Sequence, residues 1–507
     1  MTNTLFDGLF NAAVPDKKLA NLEGGRTYSY QDTLDQSARF ANAIVALGVK
    51  PGDRVAMQVP KSIEAVMLYL ACVRAGATFL PLNTAYTPGE IDYFLGNAGP
   101  HLFVCDPVRR DELRSVAEKN GVLLETLGVW KDDESSAGSL SDAALAASTE
   151  FKNIPCSKDD LAAILYTSGT TGRSKGAMLT HENLLSNAET LIELWHFSKD
   201  DVLLHALPIF HTHGLFVAIN VVLLSGSSMN FVSGFNPDVM IENLPNSTAV
   251  MGVPTFYTRL LNDERFTREL VSHMRLFVSG SAPLLAETHI QFEERTGHRV
   301  LERYGMTETN MTTSNPYDGE RRAGTVGFPL PGVSVKITDP DTGIPIAKGE
   351  IGMIEVKGPN VFTGYWQMPE KTAEEFRDDG FFITGDLGVL DDDDYITIVG
   401  RTKDLIISGG FNIYPKEIEL ILDELDGVLE SAVIGVPHPD FGEAVVGVIV
   451  TPDSDGFDTA KLFEMLKPKI SRFKQPKLLH VMDELPRNTM GKVQKNVLRE
   501  LLKDCFI

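Results

Sequence analysis

An apolar run, Leu161-Ala-Ala-Ile-Leu165, leads directly into the polar, glycine-rich stretch Tyr166-Thr-Ser-Gly-Thr-Thr-Gly-Arg-Ser-Lys-Gly176. The apolar run is typical of a buried strand, and the glycines let the following backbone turn tightly and bring its amide groups up to an anion. The hydroxyls and the ammonium group can donate to oxygens spread over several phosphoryl groups. We therefore predict a polyphosphate-binding loop that contains Thr167, Ser168, Gly169, Thr170, Thr171, Gly172 and Lys175.

The end of this loop differs from that of the common nucleotide-hydrolase loop. A hydrolase loop ends in Gly-Lys-Ser or Gly-Lys-Thr, whereas Lys175 here precedes Gly176. A solvated linker is the other interpretation of the stretch. It is disfavoured because a linker has little reason to combine glycines and hydroxyls directly after a buried strand.

The pattern Tyr-Thr-Ser-Gly-Thr-Thr-Gly-x-x-Lys-Gly resembles the signature loop of the adenylate-forming enzymes, which comprise acyl-CoA synthetases, adenylation domains and luciferases. Further motifs in the same order extend the resemblance from about residue 25 to the C-terminus. The resemblance implies a carboxylic acid, ATP and coenzyme A as substrates and Mg²⁺ as the metal.

Length and charge bound the possible functions. A chain of 507 residues, 43% of them hydrophobic, is too long for one core and predicts at least two domains. The net charge of −23 argues against a general nucleic-acid surface. The four cysteines are scattered, as expected in a reducing compartment. The N-terminus lacks a signal-peptide pattern and no apolar run approaches ~18 residues, so we expect a cytoplasmic protein without a membrane span.

Alternating helix and strand patterns between Tyr28 and Cys105 predict a layered α/β sheet. The segment from Trp130 to Glu150 has no clear period and is predicted to be a surface connection. We expect the chain to divide into an N-terminal domain, residues 1–402, and a C-terminal domain, residues 403–507. The fold class is α/β, with a large multi-layer N-terminal domain that has a small β-barrel-like part, and a smaller, mobile α+β C-terminal domain.

The stretch Leu276-Phe-Val-Ser-Gly-Ser-Ala-Pro-Leu284 is an apolar run that ends in small residues and proline. Taken alone it is an ordinary strand-to-helix turn with a serine cap. The stretch also resembles the adenine-side loop of the family, and it lies about twenty residues before the next motif. This resemblance implies that Ser281, Ala282 and Pro283 lie along the purine.

The next motif is Leu301-Glu-Arg-Tyr-Gly-Met-Thr-Glu-Thr309. Tyr304 offers a flat face for adenine, Thr307 can donate to the α-phosphate, and Glu308 is a hard oxygen ligand for Mg²⁺. A solvated turn is the alternative interpretation. We assign to the nucleotide site Glu302, Tyr304, Gly305 and Met306, and to catalysis Thr307 and Glu308.

Two downstream motifs complete the resemblance to the nucleotide and coenzyme A sites. Asp386 and Arg401 stand at opposite ends of a predicted hairpin and resemble the ribose-hydroxyl acceptor and its companion. Lys403 corresponds to the hinge between the domains. The pair Gly409-Gly410 follows it and is expected to approach coenzyme A.

Lys492 ends the segment Pro486-Arg-Asn-Thr-Met-Gly-Lys492, just before the predicted last helix. Taken alone it is a surface lysine, as Lys495 and Lys503 are expected to be. A cation at this position could reach both an attacking carboxylate and the α-phosphate, and the resemblance implies that it is the catalytic lysine. The segment also matches the Pro-x4-Gly-Lys pattern at which acyl-CoA synthetases are acetylated, which implies a lysine acetyltransferase and a deacetylase as partners.

The segment from His205 to Gly214 is predicted to be an apolar strand ending in two histidines. A zinc site is disfavoured because no nearby cysteine or carboxylate completes a ligand set. In acyl-CoA synthetases the matching segment lines the acyl pocket, which implies that His211 and His213 face the acid. We add Ser279 to this acid-binding set.

Arg303 bears on the choice of acid. Many fatty or aryl ligases of the family have Gly before the Tyr of this motif, whereas Glu-Arg-Tyr-Gly-Met-Thr-Glu resembles malonyl-CoA synthetases. An arginine in the acyl pocket needs an anion, and a second substrate carboxylate supplies one. The alternative is that Arg303 pairs with Glu302 or a surface acid.

The sequence therefore predicts an ATP-dependent acid:CoA ligase that converts malonate, or methylmalonate, into its CoA thioester through an acyl-adenylate, releasing AMP and pyrophosphate. A short-chain, medium-chain or aryl acid:CoA ligase and a carrier-protein-loading adenylation enzyme stay open as alternatives. A nucleotide sensor without turnover is a further alternative, and it is disfavoured by the presence of both Glu308 and Lys492.

Overall fold

Three sheets build the first four hundred residues of the described chain, and a fourth sheet lies in the last hundred. The computed structural model describes residues 2–130, 138–167, 174–409, 411–452, 457–488 and 491–506. The predicted loop residues Ser168, Gly169, Thr170, Thr171 and Gly172, and Gly410, lie outside the described residues.

The helices of the described residues are numbered in chain order. They are α1 Thr4–Leu9, α2 Tyr30–Ala46, α3 Ile63–Arg74, α4 Pro88–Ala98, α5 Arg110–Lys119, α6 Ser139–Leu145, α7 His181–Leu194, α8 Asn220–Ser225, α9 Pro237–Asn243, α10 Pro254–Leu261, α11 Arg268–Val271, α12 Ala286–Thr296, α13 Pro369–Glu374, α14 Pro415–Asp423, α15 Thr459–Leu466 and α16 Lys495–Leu502.

The strands of the described residues are numbered in the same way. They are β1 Lys18–Leu22, β2 Thr27–Ser29, β3 Arg54–Gln58, β4 Thr78–Pro81, β5 Leu102–Cys105, β6 Leu123–Thr126, β7 Leu161–Tyr166, β8 Gly176–Thr180, β9 Val202–His205, β10 Ser228–Phe231, β11 Ala249–Gly252, β12 Leu276–Ser279, β13 Leu301–Met306, β14 Asn310–Ser314, β15 Phe328–Pro329, β16 Ser334–Thr338, β17 Gly352–Lys357, β18 Phe382–Leu390, β19 Ile396–Arg401, β20 Ile406–Ser408, β21 Phe411–Ile413, β22 Glu430–His438, β23 Gly442–Val450 and β24 Leu478–Met482.

The first sheet has the order β6-β5-β3-β4-β7-β8. Its strands are parallel except for β8, which is antiparallel to β7. Helix α3 crosses between β3 and β4 and is buried along its whole length, which explains its nearly unbroken apolar sequence. The alternating pattern between Tyr28 and Cys105 therefore predicted the parallel layered sheet correctly.

The second sheet has the order β15-β14-β13-β12-β11-β9-β10-β1-β2. Its central strands are parallel, so the carboxyl ends of β9, β11, β12 and β13 meet at one edge. Ser279 pairs with Glu302 across β12 and β13. Ligands of open α/β sheets bind at such an edge, and Ser279 and Arg303 are brought together there.

The third sheet is small and antiparallel, with the order β16-β17-β18-β19. The fourth sheet has the order β21-β20-β23-β22, with β24 parallel to β23. Helices α14 and α15 pack on it through Ile418, Leu422 and Leu462, giving the α+β unit that the sequence predicted.

Two local predictions are wrong. The segment between Trp130 and Glu150 contains α6, whose Leu140 and Ala144 are buried, so it is not only a surface connection. The strand predicted to reach the histidine pair ends at His205. His213 instead begins a buried π-helical segment that runs to Ile219 and continues as α8. No helix of the described residues is long and apolar enough to cross a membrane.

Candidate active site

A backbone hydrogen bond joins the two described ends of the predicted phosphate loop. The backbone N–H of Thr167 donates to the carbonyl oxygen of Lys175 over 2.9 Å. Strands β7 and β8 pair directly below this bond, from Leu161 with Thr180 up to Tyr166 with Gly176. The strand pair therefore fixes both ends of the loop, and Lys175 stands at its exit.

Lys175 belongs to a group of four side chains that we call the phosphate-end cluster: Lys175, Glu375, Tyr365 and Glu308. The Lys175 Nζ atom lies 2.7 Å from Oε1 of Glu375 and 4.0 Å from the centre of the Tyr365 ring. The Tyr365 hydroxyl lies 2.6 Å from Oε2 of Glu375 and 3.0 Å from Oε1 of Glu308. Continuous contacts thus join the predicted phosphate-binding lysine to the predicted Mg²⁺ ligand.

Glu308 and Glu375 respond differently to their surroundings. Burial raises the pKa of Glu308, and the Tyr365 hydroxyl and the charge of Lys175 oppose that rise. Burial also acts to raise the pKa of Glu375, but hydrogen bonds from Lys175 and Tyr365 outweigh it and hold this pKa below its usual value. The surroundings therefore favour the charged form of Glu375 more than that of Glu308.

The predicted ribose site is a cross-strand pair. Asp386 and Arg401 face each other across β18 and β19, and Arg401 Nε lies 2.8 Å from Oδ1 of Asp386. The Tyr304 hydroxyl donates to the other carboxylate oxygen, Oδ2, over 2.6 Å. Tyr304 from β13 and the two hairpin residues therefore form one hydrogen-bonded unit.

The two loops predicted to hold adenine have a constrained backbone. Ser281 has φ 69°, a left-handed conformation that is uncommon for a residue with a side chain. Its hydroxyl lies 3.4 Å from Nδ1 of His213. A Cβ atom at Gly305 would lie 1.9 Å from the backbone oxygen of Asn310, so the close β13–β14 turn itself requires glycine there.

The remaining residues predicted to bind the nucleotide lie around these loops. The carboxylate of Glu302 is directed away from them, 3.4 Å from Nδ1 of His289 and 3.2 Å from the backbone N–H of Gly324. Its contact with the nucleotide stays a prediction. The other predicted residues in this region are Ala282, Pro283, Met306 and Thr307.

A second group of polar side chains lies at the carboxyl edge of the second sheet, and we call it the acid-end cluster: His211, His213, Ser279 and Arg303. Each has a buried polar atom without a hydrogen-bond partner among the described residues: His211 Nδ1, His213 Nε2, Ser279 Oγ, and Arg303 Nε and Nη2. Buried polar groups are nearly always paired. Four unpaired groups together therefore indicate a site for a polar ligand.

Arg303 is the charged member of the acid-end cluster. Only 3% of its surface is exposed, and no ion pair involves it in the part of the chain that the structure describes. Burial lowers its pKa to about 9, so the guanidinium is still charged at neutral pH. The alternative partner Glu302 is turned towards His289 instead.

The space for the guanidinium comes from Gly280, since a Cβ atom there would lie 2.4 Å from both Cζ and Nη1 of Arg303. The two histidines are neutral. Burial, then the charges of Lys492 and Arg303, lower the pKa of His211 to about 3. Burial, then the charge of Arg303, hold the pKa of His213 well below its usual value.

Lys492 comes from the C-terminal part of the chain and faces both clusters. The residue as a whole is exposed, yet the surrounding protein desolvates its ammonium group. This desolvation, and then the charge of Arg401, lower its pKa to about 8, while Asp386 and Glu308 act in the opposite direction. Beside it, Gly491 approaches Thr255 of α10. The described structure thus brings together residues more than two hundred positions apart.

The predicted hinge and coenzyme A residues follow Arg401 along the chain. Burial and then the charge of Arg401 lower the pKa of Lys403 to about 8. The next residue, Asp404, is bound by Arg499 of α16 over 2.7 Å. Gly409 has φ 58°, and its backbone N–H donates to the carbonyl oxygen of Phe441. Its role in binding coenzyme A stays a prediction.

The sequence analysis missed Glu375, Tyr365 and Gly280. Glu375 ends a short helix and carries no motif, and its partner Lys175 lies two hundred positions earlier. The signal for Gly280 was present in the printed sequence, because Gly280 follows Ser279 at the end of a predicted strand.

Comparison with known proteins identifies the family of this chain. The model of the AMP-binding enzyme family matches residues 10–366, and the model of the AMP-binding enzyme C-terminal domain matches residues 417–492. A feruloyl-CoA synthase from an Amycolatopsis species is 36% identical over 480 residues, which cover 94% of each chain. A malonate–CoA ligase from Arabidopsis thaliana is 33% identical over 536 residues, covering 96% of this chain and 86% of that protein.

The crystal structure of ATP-bound MatB from Rhodopseudomonas palustris is similar over 100% of both chains, with 57% sequence identity and a TM-score of 0.97. The apo structure of MatB, at the same identity, gives a TM-score of 0.85. The structure of this chain is therefore more similar to the ATP-bound structure of MatB than to the apo structure. Family match, full-length relatives and signature motifs agree: the chain belongs to the AMP-binding family of adenylate-forming enzymes.

Proposed function

We propose that this protein is an ATP-dependent acid:CoA ligase that activates malonate. The observation that carries the choice of acid is the buried Arg303 guanidinium, whose Nε and Nη2 atoms have no partner among the described residues. A pocket for a monocarboxylate gains nothing from a buried cation. A dicarboxylate supplies the missing acceptor, and a carboxylate and a guanidinium can form two parallel hydrogen bonds.

In the first half-reaction, one carboxylate of malonate attacks the α-phosphorus of ATP and pyrophosphate leaves. Arg303 and the neutral His211 hold the distal carboxylate, which turns the reacting carboxylate towards the nucleotide. Lys492 stands between two anions that would otherwise repel each other, and it stabilises the charge as it shifts from carboxylate to phosphate. Lys175 stabilises the departing pyrophosphate.

The donor set at the phosphate end suits Mg²⁺. Magnesium is usually held by one or two carboxylates together with substrate phosphates, and Glu308 offers a buried carboxylate within 3.0 Å of the Tyr365 hydroxyl. No group of three or more histidine, cysteine or acidic side chains suited to a metal occurs among the described residues. Glu308 would therefore hold the ion with the phosphates, and the ion would neutralise charge on the leaving pyrophosphate.

In the second half-reaction, the thiol of coenzyme A attacks the acyl-adenylate. We infer a domain boundary at residues 402 and 403, with Lys403 as the hinge and Gly409 and Gly410 approaching the thiol carrier. The boundary falls in the short turn Thr402–Asp404 between β19 and β20. A turn of this kind can absorb the backbone rotation of a moving domain.

Acetylation of Lys492 by a lysine acetyltransferase, reversed by a deacetylase, would remove the charge that the first half-reaction needs. It is supported here only by the Pro486–Lys492 pattern.

A panel of acids tests the proposed function directly. The purified protein is given MgATP, coenzyme A and one of malonate, methylmalonate, succinate, acetate, butyrate or benzoate, and the thioester, AMP and pyrophosphate are quantified. We expect malonate to give the highest kcat/KM, with one AMP and one pyrophosphate per thioester. A higher kcat/KM for butyrate or benzoate would exclude the malonate assignment, whereas pyrophosphate release without a CoA thioester would exclude the ligase.

A further inference from the structure

Glu375 is fixed in space by its backbone and its neighbours. It follows α13 directly, and its backbone N–H donates to Thr372 while its carbonyl oxygen accepts from Ile383. The next residue, Phe376, packs against Phe382. A carboxylate held on so rigid a base can fix the position of whatever group it binds.

Glu375 binds the ammonium of Lys175, and the more exposed Lys371 lies 3.2 Å from the same carboxylate oxygen. One carboxylate oxygen accepts from Lys175 over 2.7 Å, and the Tyr365 ring lies beneath the same ammonium at 4.0 Å. An ammonium has three N–H donors. The carboxylate uses one, so donors are left for phosphate oxygens while the direction of the side chain is set from two sides.

Two properties separate this contact from an ordinary surface ion pair. The side chains of Lys175 and Glu375 are 23% and 20% exposed, so solvent screens them less than a pair on an open surface. The second oxygen of Glu375 is bound by the Tyr365 hydroxyl over 2.6 Å. The carboxylate therefore cannot rotate away from Lys175 without losing a second hydrogen bond.

We propose that Glu375 is a positioning residue, which holds the Lys175 ammonium in the direction of the ATP phosphates and acts on catalysis through Lys175. The proposal rests on the proposed function, because it requires that Lys175 meets the phosphates of ATP. Glu375 itself touches neither the substrate nor the reacting atoms.

The proposal predicts that Glu375 affects the rate of pyrophosphate release more than it affects the affinity for ATP. Removing the negative charge of Glu375 makes the phosphate end more positive, which favours ATP, while loss of the contact leaves Lys175 less ordered, which disfavours it. We expect these effects to offset each other in affinity. The rate depends on the orientation of Lys175 and has no such compensation, so E375Q should lower kcat for pyrophosphate release about ten- to a hundredfold.

The matched control is E374Q. Glu374 is the preceding residue, undergoes the same chemical change, and pairs at 66% side-chain exposure with Lys371, which also lies 3.2 Å from Glu375. E374Q therefore alters the surroundings of Lys371 without removing the contact between Glu375 and Lys175. MgATP affinity is measured by calorimetry, and the rate of pyrophosphate release is measured with the best acid of the panel. Melting temperatures confirm that each variant is folded.

The decisive measurement is a double-mutant cycle with K175M. Because Glu375 acts through Lys175, adding E375Q to K175M should change the rate less than about twofold, whereas E375Q alone lowers it tenfold or more. Equal rate losses in both backgrounds would overturn the proposal, as would wild-type rates in E375Q. A loss of ATP affinity in E375Q as large as that in K175M would also overturn it.

These outcomes are distinct from a failure of the proposed function. If the wild-type protein released pyrophosphate with none of the acids, the ligase proposal would fall. The calorimetric comparison of E375Q, E374Q and K175M would still stand, since binding of MgATP needs no acid.

Discussion

The phosphate-end and acid-end clusters satisfy their polar groups in opposite ways. Lys175, Glu375, Tyr365 and Glu308 bind one another through contacts of 2.6 to 3.0 Å. His211, His213, Ser279 and Arg303 each keep a buried polar atom that no described residue satisfies.

Under the proposed function, this difference determines how the two substrates are recognised. A cluster that is internally paired must exchange existing contacts for those of the ligand, so its affinity for ATP is a difference between two sets of hydrogen bonds. A cluster with unpaired buried donors gains the full contact when an anion arrives, and it disfavours ligands that cannot supply one. Selectivity is therefore concentrated at the acid end.

The largest effect is expected for Lys492, which faces both clusters. K492A should lower the rate of adenylate formation about a hundred- to thousandfold, as expected for loss of one preorganised charge, because the carboxylate and the α-phosphate then face each other uncompensated. ATP binding should change little. The measurement is pyrophosphate release alongside MgATP calorimetry.

The same K492A variant, given preformed malonyl-adenylate and coenzyme A, should still make the thioester. K495A serves as the control, because Lys495 lies three positions along the chain and is paired with Glu419 of α14. Equal loss of both half-reactions in K492A would contradict the assignment of Lys492.

The second effect tests the acid end directly. R303M should lower kcat/KM for malonate about ten- to a few hundredfold, because each ~1.4 kcal/mol of lost contact is a factor of ten. Butyrate has no second charge, so its kcat/KM should stay unchanged or rise once the unpaired cation is gone. The measured quantity is the ratio of the two kcat/KM values.

R299M is the matched control for this ratio. Arg299 lies four positions earlier, is 46% exposed and pairs with Glu293 on the surface. An identical malonate-to-butyrate ratio in R303M and wild type would show that Arg303 does not bind the distal carboxylate, and the assignment would return to a short-chain acid:CoA ligase.

A third, smaller effect concerns the domain that carries Lys492 into the cleft. K403P fixes φ near −65°, so it should hold the arrangement that places Lys492 over the two clusters. We expect adenylate formation near the wild-type rate and thioester formation reduced by roughly an order of magnitude. K403A, which leaves the backbone free, is the control. Overall ligation at the wild-type rate in K403P would show that Lys403 is not the hinge residue.

The smallest effect is on stability. Without substrates, R303M should raise the free energy of unfolding by on the order of 1 kcal/mol, because a buried charge without an anionic partner is costly. E375Q should lower it slightly, because it weakens a paired contact. Thermal unfolding of the two variants beside wild type measures the signs. A lower free energy of unfolding for R303M than for wild type would contradict the contrast between the two clusters, since it would mean that Arg303 already has a compensating partner.

Much of the fold followed from the sequence because its signals are local. The β7 strand and the buried helix α3 can each be recognised from a stretch of at most a dozen residues. Helix α6 was missed because its seven residues span about two turns, too few for a clear amphipathic period. The early end of the strand at His205 had a visible cause in Pro208, which cannot donate to a sheet.

Site residues that belong to sequence motifs could be predicted. Contacts between residues on elements that are distant in sequence could not. Tyr304 and Asp386 were both assigned to the nucleotide, but their 2.6 Å hydrogen bond depends on how β13 meets the third sheet. Glu375 had no distinguishing neighbours in sequence. Its proximity to Lys175 exists only because the turn after α13 packs beside the exit of the loop.

Gly280 has a consequence for how this pocket could change over evolutionary time. Its missing side chain is the room in which the Arg303 guanidinium lies, since a Cβ atom would come within 2.4 Å of it. A larger residue at 280 is therefore obstructed while Arg303 is present, but the obstruction disappears once Arg303 has been replaced by a smaller side chain. A lineage moving from charged to uncharged acids would have to substitute position 303 first and position 280 second. A change in the opposite direction would have to restore glycine at position 280 before arginine could return to position 303.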